Sequence, residues 1–404
     1  MIIRARIVVP MSGVPIDDGA VAVEGNTITG VGRFADLRRG TAAPVLDLGE
    51  QALLPGLINA HCHLDYTVLR GKIPPQKSFA DWIRAINAEK TPLTERDYTN
   101  SIKEGFAEAR RFGTTAIANL TALPKLVATI KAPVRTWWFG ELIDVRNPEE
   151  AETIADDAAR SLRSASEWGL APHAPYTASE RLYARCEEIA RRKNRLLTTH
   201  LAESEEEAAM FGRKSGPMFE FLKSIGRPVD DCGQETPVSL FLRTRAMDLP
   251  WIVAHLNELN SSDFDLLAAR PKFHIAHCPR SHAFFGHRPF AIERLRALGF
   301  NICLGTDSLA SNADLSLFAE MRALLGKHDH LTPGDVLEMA TINGAAALGQ
   351  RNRLGCIRAG AYADMIALPV SGPDVCQSIV AFEGEVPWTM QNGQIGENAD
   401  NRAH

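Results

Sequence analysis

The chain has 404 residues, 45% hydrophobic and 23% charged, with a formal net charge of −5, the balance of an ordinary soluble globular protein. Charges of both signs are interspersed, which argues against a nucleic-acid-binding stripe or a disordered acidic tail, and no run approaches the ~18 apolar residues of a membrane span. The first residues enter a strand pattern rather than a secretory leader, and the seven cysteines stand singly, so a reducing, cytoplasmic location is expected, with the cysteines acting as buried small apolar residues.

Residues 1–52 read as short strands and turns: Ile2 to Val9, then Gly19 to Val23, with Gly25-Asn26 as a turn. The far end has the same character at Ala363 to Leu368 and Ser378 to Phe382. Both ends together predict one small composite β-sandwich, 1–52 plus 359–404, flanking a middle unit over 53–358. The middle alternates. Eight apolar runs (Ala52–Ala60, Thr114–Leu120, Val134–Ile143, Gly169–His173, Leu196–Leu201, Trp251–His255, Phe273–His277 and Phe300–Gly305) are separated by amphipathic stretches, among them Thr94–Phe112, Ala151–Trp168, Ser179–Lys193, Asp263–Ala269, Ala291–Leu298 and Leu315–Leu325. Strand–helix alternation implies parallel pairing, and eight units close a (β/α)₈ TIM-type barrel, an α/β fold. An open doubly wound sheet is the alternative, but no dinucleotide-type glycine fingerprint follows the first run.

The polar residues that end these runs carry the chemistry. The first run leads into His61-Cys62-His63; the fourth to seventh end at His173, His200, His255 and His277; Asp307 follows the eighth. Active sites of such barrels form at the C-terminal ends of the strands, so these groups are expected at one mouth. His61 and His63, two apart on a strand, project to the same side. With His200 and Asp307 they make a His₃Asp set suited to one divalent ion, Zn²⁺ first and Fe²⁺ second, with a position left for water. The alternative is a group of satisfied core histidines. Glu203, three residues after His200, is either a proton-transfer group at the mouth or one more acid of the Glu205-Glu206-Glu207 run, which reads as an exposed first helical turn. His277 is either pocket lining or a hydrogen-bonded structural residue.

Pro55 to His63, Pro172-His173-Ala174-Pro175-Tyr176-Thr177, Thr199 to Glu203, Ala254-His255, His277 to Ser281, Gly305-Thr306-Asp307-Ser308, Thr341 to Ala345 and Gly360 to Asp364 together resemble the amidohydrolase superfamily, in its nucleoside and nucleobase deaminase branch. The resemblance spans nearly the whole chain in the family's order. It implies His61, His63, His200 and Asp307 as metal ligands, Glu203 as proton shuttle, His255 as the group that orients the attacking water, and His173 as a substrate contact. Binuclear relatives carry a lysine at the end of strand four, where this chain has His173, so one ion is expected.

A bound ion acidifies its water. Asp307 can accept the proton, and a protonated Glu203 can donate to the ring nitrogen beside the attacked carbon. The implied reaction is hydrolytic deamination of a 6-aminopurine nucleoside of the aminodeoxyfutalosine, S-adenosylhomocysteine or methylthioadenosine type. Deamination or dechlorination of another heteroaromatic ring (guanine, pterin, triazine) at the same site is the alternative, followed by a non-enzymatic scaffold. The long loop Leu64 to Pro92 is expected to cover the pocket, with Phe79 and Trp82 as an apolar wall or as core, and the resemblance puts Glu89 near the ribose hydroxyls. Arg70, Lys72, Arg146 and Arg280 are candidates for a substrate carboxylate. Arg280 and Ser281 open an aromatic loop, through His287, that departs from the family's usual Ser-Asn and suits a second substrate ring. The expected partner is a small-molecule substrate, with no nucleic acid or membrane, and a homodimer by family analogy.

Overall fold

The computed structural model describes residues 1–396; the remainder of the expected terminal unit, 397–404, lies outside the described residues. Eight strands form a parallel barrel sheet in sequential order: Leu57–Cys62, Thr114–Thr121, Arg135–Leu142, Glu167–Pro172, Leu196–Leu201, Trp251–His255, His274–His277 and Asn301–Leu304. These are called the first to eighth barrel strands below. They are buried almost throughout, as parallel strands covered on both faces must be. Small and large residues share one core cluster of the barrel strands: Ala60, Ala116, Ala118, Ala171 and Ala276 pack with Ile58, Trp137, Phe139 and Ile252. The outer layer packs on helices whose starts are capped by side chains. Thr94 and Asp97 form a reciprocal capping box at Glu95–Arg111, and Ser179 accepts from Leu182 N at Glu180–Lys193.

The first strand meets the segment that follows the eighth at His61 and Cys62. His61 O accepts from Thr306 N at 3.0 Å and from Asp307 N at 3.1 Å, and Cys62 pairs with Asp307 in a parallel bridge. Gly305 makes the approach possible: a Cβ there would lie 2.6 Å from His61 O and 2.8 Å from His61 Cβ.

The second sheet is mixed and draws on both ends of the chain. Ile2–Val8 pairs antiparallel with Ile16–Glu24 and parallel with Gln51–Pro55, which pairs antiparallel with Met365–Pro369. Ile3, Val21, Leu53, Met365 and Trp388 share its core.

Three expectations are corrected. The apolar run Ala52–Ala60 is two strands in two sheets, broken at Gly56. Gly56 N bonds Asp364 O in the terminal sheet and Leu57 N bonds Gly113 O in the barrel, and a Cβ on Gly56 would sit 2.1 Å from Thr115 Oγ1. Apolar content does not mark a change of sheet; the glycine does. Ser378 to Phe382, expected as strand, lies at the end of helix Val375–Val380, which Asp374 caps by accepting from Gln377 N. Ala151–Trp168 is helical only to Ser161; a short 3₁₀ turn follows, and Trp168 belongs to the fourth barrel strand.

Gly305→Ala should lower the unfolding free energy by about 1–3 kcal/mol, the usual cost of overpacking. Gly13→Ala, with nothing within 4 Å of its Cβ, should stay within about 0.5 kcal/mol of the parent. Urea unfolding of both variants checks this, and equal stabilities would refute the seam argument.

Candidate active site

His61, His63, His200, His255 and Asp307 converge at the C-terminal mouth of the barrel. The His61 ring centroid lies 5.0, 4.9 and 5.6 Å from those of His63, His200 and His255. His63 Nε2 is 3.3 Å from His200 Nε2, and Asp307 Oδ1 is 3.9 Å from His61 Nε2 and 3.7 Å from His63 Nε2. Candidate donor atoms of His61, His63 and Asp307 all lie within 4.8 Å of one another, as do those of His61, His200 and His255. Among the described residues neither ring nitrogen of His61 has a hydrogen-bond partner, although the residue is fully buried. An unpartnered buried polar atom costs about 1–3 kcal/mol, and this clustering of borderline nitrogen donors beside a carboxylate fits a divalent cation of the zinc type. Burial first, then the neighbouring imidazoles, holds His61 and His255 well below the ordinary histidine pKa; neutral imidazole is the ligating form.

The backbone is bent to aim these groups. Ala202, His255, Leu256 and Asp307 all have positive φ, from 50° to 72°, a region rare for residues with a side chain and recurrent at functional sites. Around Asp307, Asn59 Nδ2 donates to Thr306 Oγ1 at 2.8 Å, and Ser281 Oγ donates to Asp307 Oδ2 at 2.6 Å. That leaves Oδ1 toward the histidines.

Behind Glu203, the carboxylate of Glu207 accepts from Ala202 N at 3.1 Å and Glu203 N at 2.7 Å. The expected exposed acidic turn is thus corrected. Of its three members only Glu205 is exposed; Glu206 accepts from the N–H groups of Phe79 and Ala80, and Glu207 is fully buried. Orphan N–H groups at a tight strand-to-helix turn and at the start of a neighbouring helix attract these acids; charge pattern alone reads as solvated. Glu203 itself is buried, with Oε1 3.5 Å from His255 Nε2. Burial first, then Asp307 and Glu207, raises its pKa well above the carboxylate range.

A cavity of about 710 Å³ opens over this cluster. Trp82 and His173 line it; His173 Nδ1 is 2.6 Å from Thr177 Oγ1. The helix Phe79–Lys90 presents Ile83, Ile86, Asn87 and Lys90 to the cavity, and Glu89 falls off that face. Arg280 also stands away from the cavity, paired with Asp314 at 2.6 Å, and Ser281 lies buried behind Asp307. Of the other candidate cations, Arg70 pairs with Glu108 and Lys72 is exposed, while Arg146 lines the rim. His277 stacks on Phe290, centroids 3.9 Å apart, off the cavity lining. The aromatic loop serves packing: Phe285 meets Phe79 and Trp82 edge-on at 5.1 and 4.9 Å.

Two cavity residues were not legible in the sequence. Glu141, on the third barrel strand, faces His63, and burial pushes its pKa up to about 7 against the opposing charge of Lys90. Lys90 carries its ammonium 5.0 Å from the Tyr66 ring, and Tyr66 stacks on His63. The usable signal was Glu141 itself, a carboxylate inside an apolar strand near its C-terminal end.

The amidohydrolase family model matches residues 52–395. A 5-methylthioadenosine/S-adenosylhomocysteine deaminase of Nitratidesulfovibrio vulgaris is 32% identical over 382 residues, covering 89% of this chain and 81% of that protein. Among solved structures, an adenosine deaminase from Xanthomonas campestris with bound zinc superposes with a TM-score of 0.83 at 25% identity, covering 98% of this chain and 92% of that one. Helicobacter pylori aminofutalosine deaminase, in complex with methylthio-coformycin, gives a TM-score of 0.87 at 20% identity, covering 98% and 99%; that likeness is one of fold.

Glu207→Leu should leave the Ala202 and Glu203 N–H groups buried without acceptors and lower the unfolding free energy by about 1–3 kcal/mol. Glu207→Gln, keeping one acceptor oxygen, should lose less. Urea unfolding of the two variants decides; a Leu variant as stable as the parent would return Glu207 to the role of a solvated helix acid.

Proposed function

The chain belongs to the amidohydrolase family, and from that premise we propose that it is a metal-dependent hydrolytic deaminase of 6-aminopurine nucleosides that carry a large 5′ substituent. One observation carries the reading: the buried imidazoles, Asp307 and Glu203 meet at the floor of a single cavity. His61, His63, His200 and Asp307 are the residues that would hold one divalent ion, with zinc first. Bound there, the ion supplies a water acidified toward neutrality.

The remaining chemistry belongs to the side chains. Asp307 takes a proton from the water as its oxygen bonds to C6. Glu203, whose burial favours the neutral carboxyl, delivers its proton to N1 of the ring, so that C6 becomes tetrahedral. Asp307 then returns its proton to the exocyclic nitrogen, which leaves as ammonia, while Glu203 recovers a proton from the C6 hydroxyl as the carbonyl forms. His255, 3.5 Å from Glu203 Oε1, orients the attacking water and holds the Glu203 carboxyl toward the ring. His173 on the cavity wall contacts the base.

Size and lining support the substrate class. A cavity of about 710 Å³ lies within the roughly 300–1,000 Å³ of pockets that enclose drug-sized ligands. Its outer walls are apolar, with Phe79, Trp82, Ile86, Val145, Phe221 and Ile225, and Arg146 at the rim suits an acidic distal end. Binding energy from such an arm can position C6 for attack, so truncation lowers turnover as well as affinity.

Two experiments test this reading. Glu203→Gln should keep about one ion per chain and lose roughly 10²- to 10⁴-fold in kcat, the usual contribution of a general acid–base group. Metal analysis alongside steady-state kinetics checks both halves, and turnover within a few-fold of the parent would remove Glu203 from the mechanism. In a panel read by ammonia release, kcat/KM should be highest for aminodeoxyfutalosine, then S-adenosylhomocysteine and methylthioadenosine, and lower for adenosine and free adenine. Activity confined to guanine, a pterin or a triazine would replace the substrate class and leave the reaction type standing.

A further inference from the structure

His63 and His200, whose Nε2 atoms approach to 3.3 Å, are held from behind in different ways. His200 Nε2 points to the cluster, and its Nδ1 lies 2.9 Å from the carbonyl oxygen of His173. That carbonyl fixes the tautomer: Nδ1 carries the proton and Nε2 the lone pair. His63 presents Nε2 to the cluster in the same way, so its Nδ1 also needs an acceptor. Among the described residues no backbone carbonyl serves it; His63 Nδ1 is buried there without a hydrogen-bond partner. The group facing it is Glu141 Oε1, at 3.6 Å, itself buried and without a partner. Both side chains are only 7% exposed. Tyr66 stacks on the His63 ring, 5.8 Å between centroids with planes 19° apart, so the imidazole is confined in the direction normal to its plane but not about its in-plane rotation.

We propose that Glu141 is a positioning residue for the metal centre, accepting the Nδ1–H of His63 and so fixing the tautomer and in-plane orientation that present Nε2 to the ion. Closing 3.6 Å to hydrogen-bond length needs a few tenths of an ångström, a shift that capture of the ion by Nε2 favours. Carboxylates that accept the remote N–H of a ligating histidine raise its basicity, and losing one typically costs about 10–100-fold in metal affinity or activity. The inference rests on the metal reading above.

The test is zinc affinity, measured by chelator competition on the purified parent and on Glu141→Ala, Glu141→Gln and Glu141→Asp. Glu141→Ala should bind zinc roughly 10- to 100-fold more weakly. Glu141→Gln, whose amide oxygen still accepts from Nδ1–H, should lose less. Glu141→Asp, one methylene shorter, should lose more than Gln although it keeps the charge. That Gln-versus-Asp order carries the test if the Ala variant does not fold. In cobalt-substituted protein the visible d–d bands should move in the same order. An Ala variant as tight as the parent, with only KM raised, would make Glu141 a substrate contact and overturn the proposal. Two ions in the parent falling to one in Glu141→Ala would overturn it too, since Glu141 would then be a ligand in the His63, Glu141 and His200 group. A parent chain that holds no zinc overturns both this inference and the metal reading, whereas equal affinities in parent and Ala variant overturn this one alone.

Discussion

Two hydrogen bonds to the carbonyl of His61, from Thr306 N and Asp307 N, do two jobs at once. They join the first barrel strand to the eighth, and they bring the HxH pair within reach of the only carboxylate among the four proposed ligands. Barrel closure and site assembly are therefore one event. Gly305 is the steric condition for it, because any side chain there would meet His61. The same contacts that close the sheet therefore assemble the site.

From that seam the demands pass outward. The chain turns at Asp307, His255 and Ala202 through left-handed backbone at residues that have side chains. Such conformations persist only where surrounding bonds over-determine them. Here the bonds come from polar residues with no direct part in the chemistry: Asn59 on Thr306, Ser281 on Asp307, Glu207 on the Ala202–Glu203 backbone, and Asn257 Nδ2 on Glu203 O. These buried side chains hold the turns and the Asp307 carboxylate in place.

That division explains what the sequence revealed. Strand-end residues were legible because a barrel puts strand C-termini at one mouth, so His61, His63, His200, His255 and Asp307 could be assembled from position alone. The barrel strands were legible as apolar runs between amphipathic stretches. Residues whose meaning depends on a tertiary neighbour were not. Glu207 looks like any acid in a first helical turn until the N–H groups of Ala202 and Glu203 are seen beside it. Glu141 is one carboxylate in an apolar strand until His63 stands opposite. Glu89 and Lys90 are adjacent, and only the helix phase of Phe79–Lys90 decides that Lys90 faces the cavity. The aromatic loop after Ser281 suggested a ring-binding wall by composition, yet Phe285 spends its faces on Phe79 and Trp82.

The terminal sheet has a consequence for how the chain is made. Gln51–Pro55 is flanked on one side by Ile2–Val8 and on the other by Met365–Pro369. During synthesis the N-terminal strands emerge first, but their neighbour along Gln51–Pro55 emerges only after the whole barrel. Until then that strand presents an unpaired apolar edge, the kind that recruits other chains. A circular permutation joining the two ends and reopening the chain in an exposed barrel loop would let the sheet form from contiguous sequence, shortening the contact distances that slow folding. In the native order, Met365–Pro369 acts as the latch that covers this edge of Gln51–Pro55.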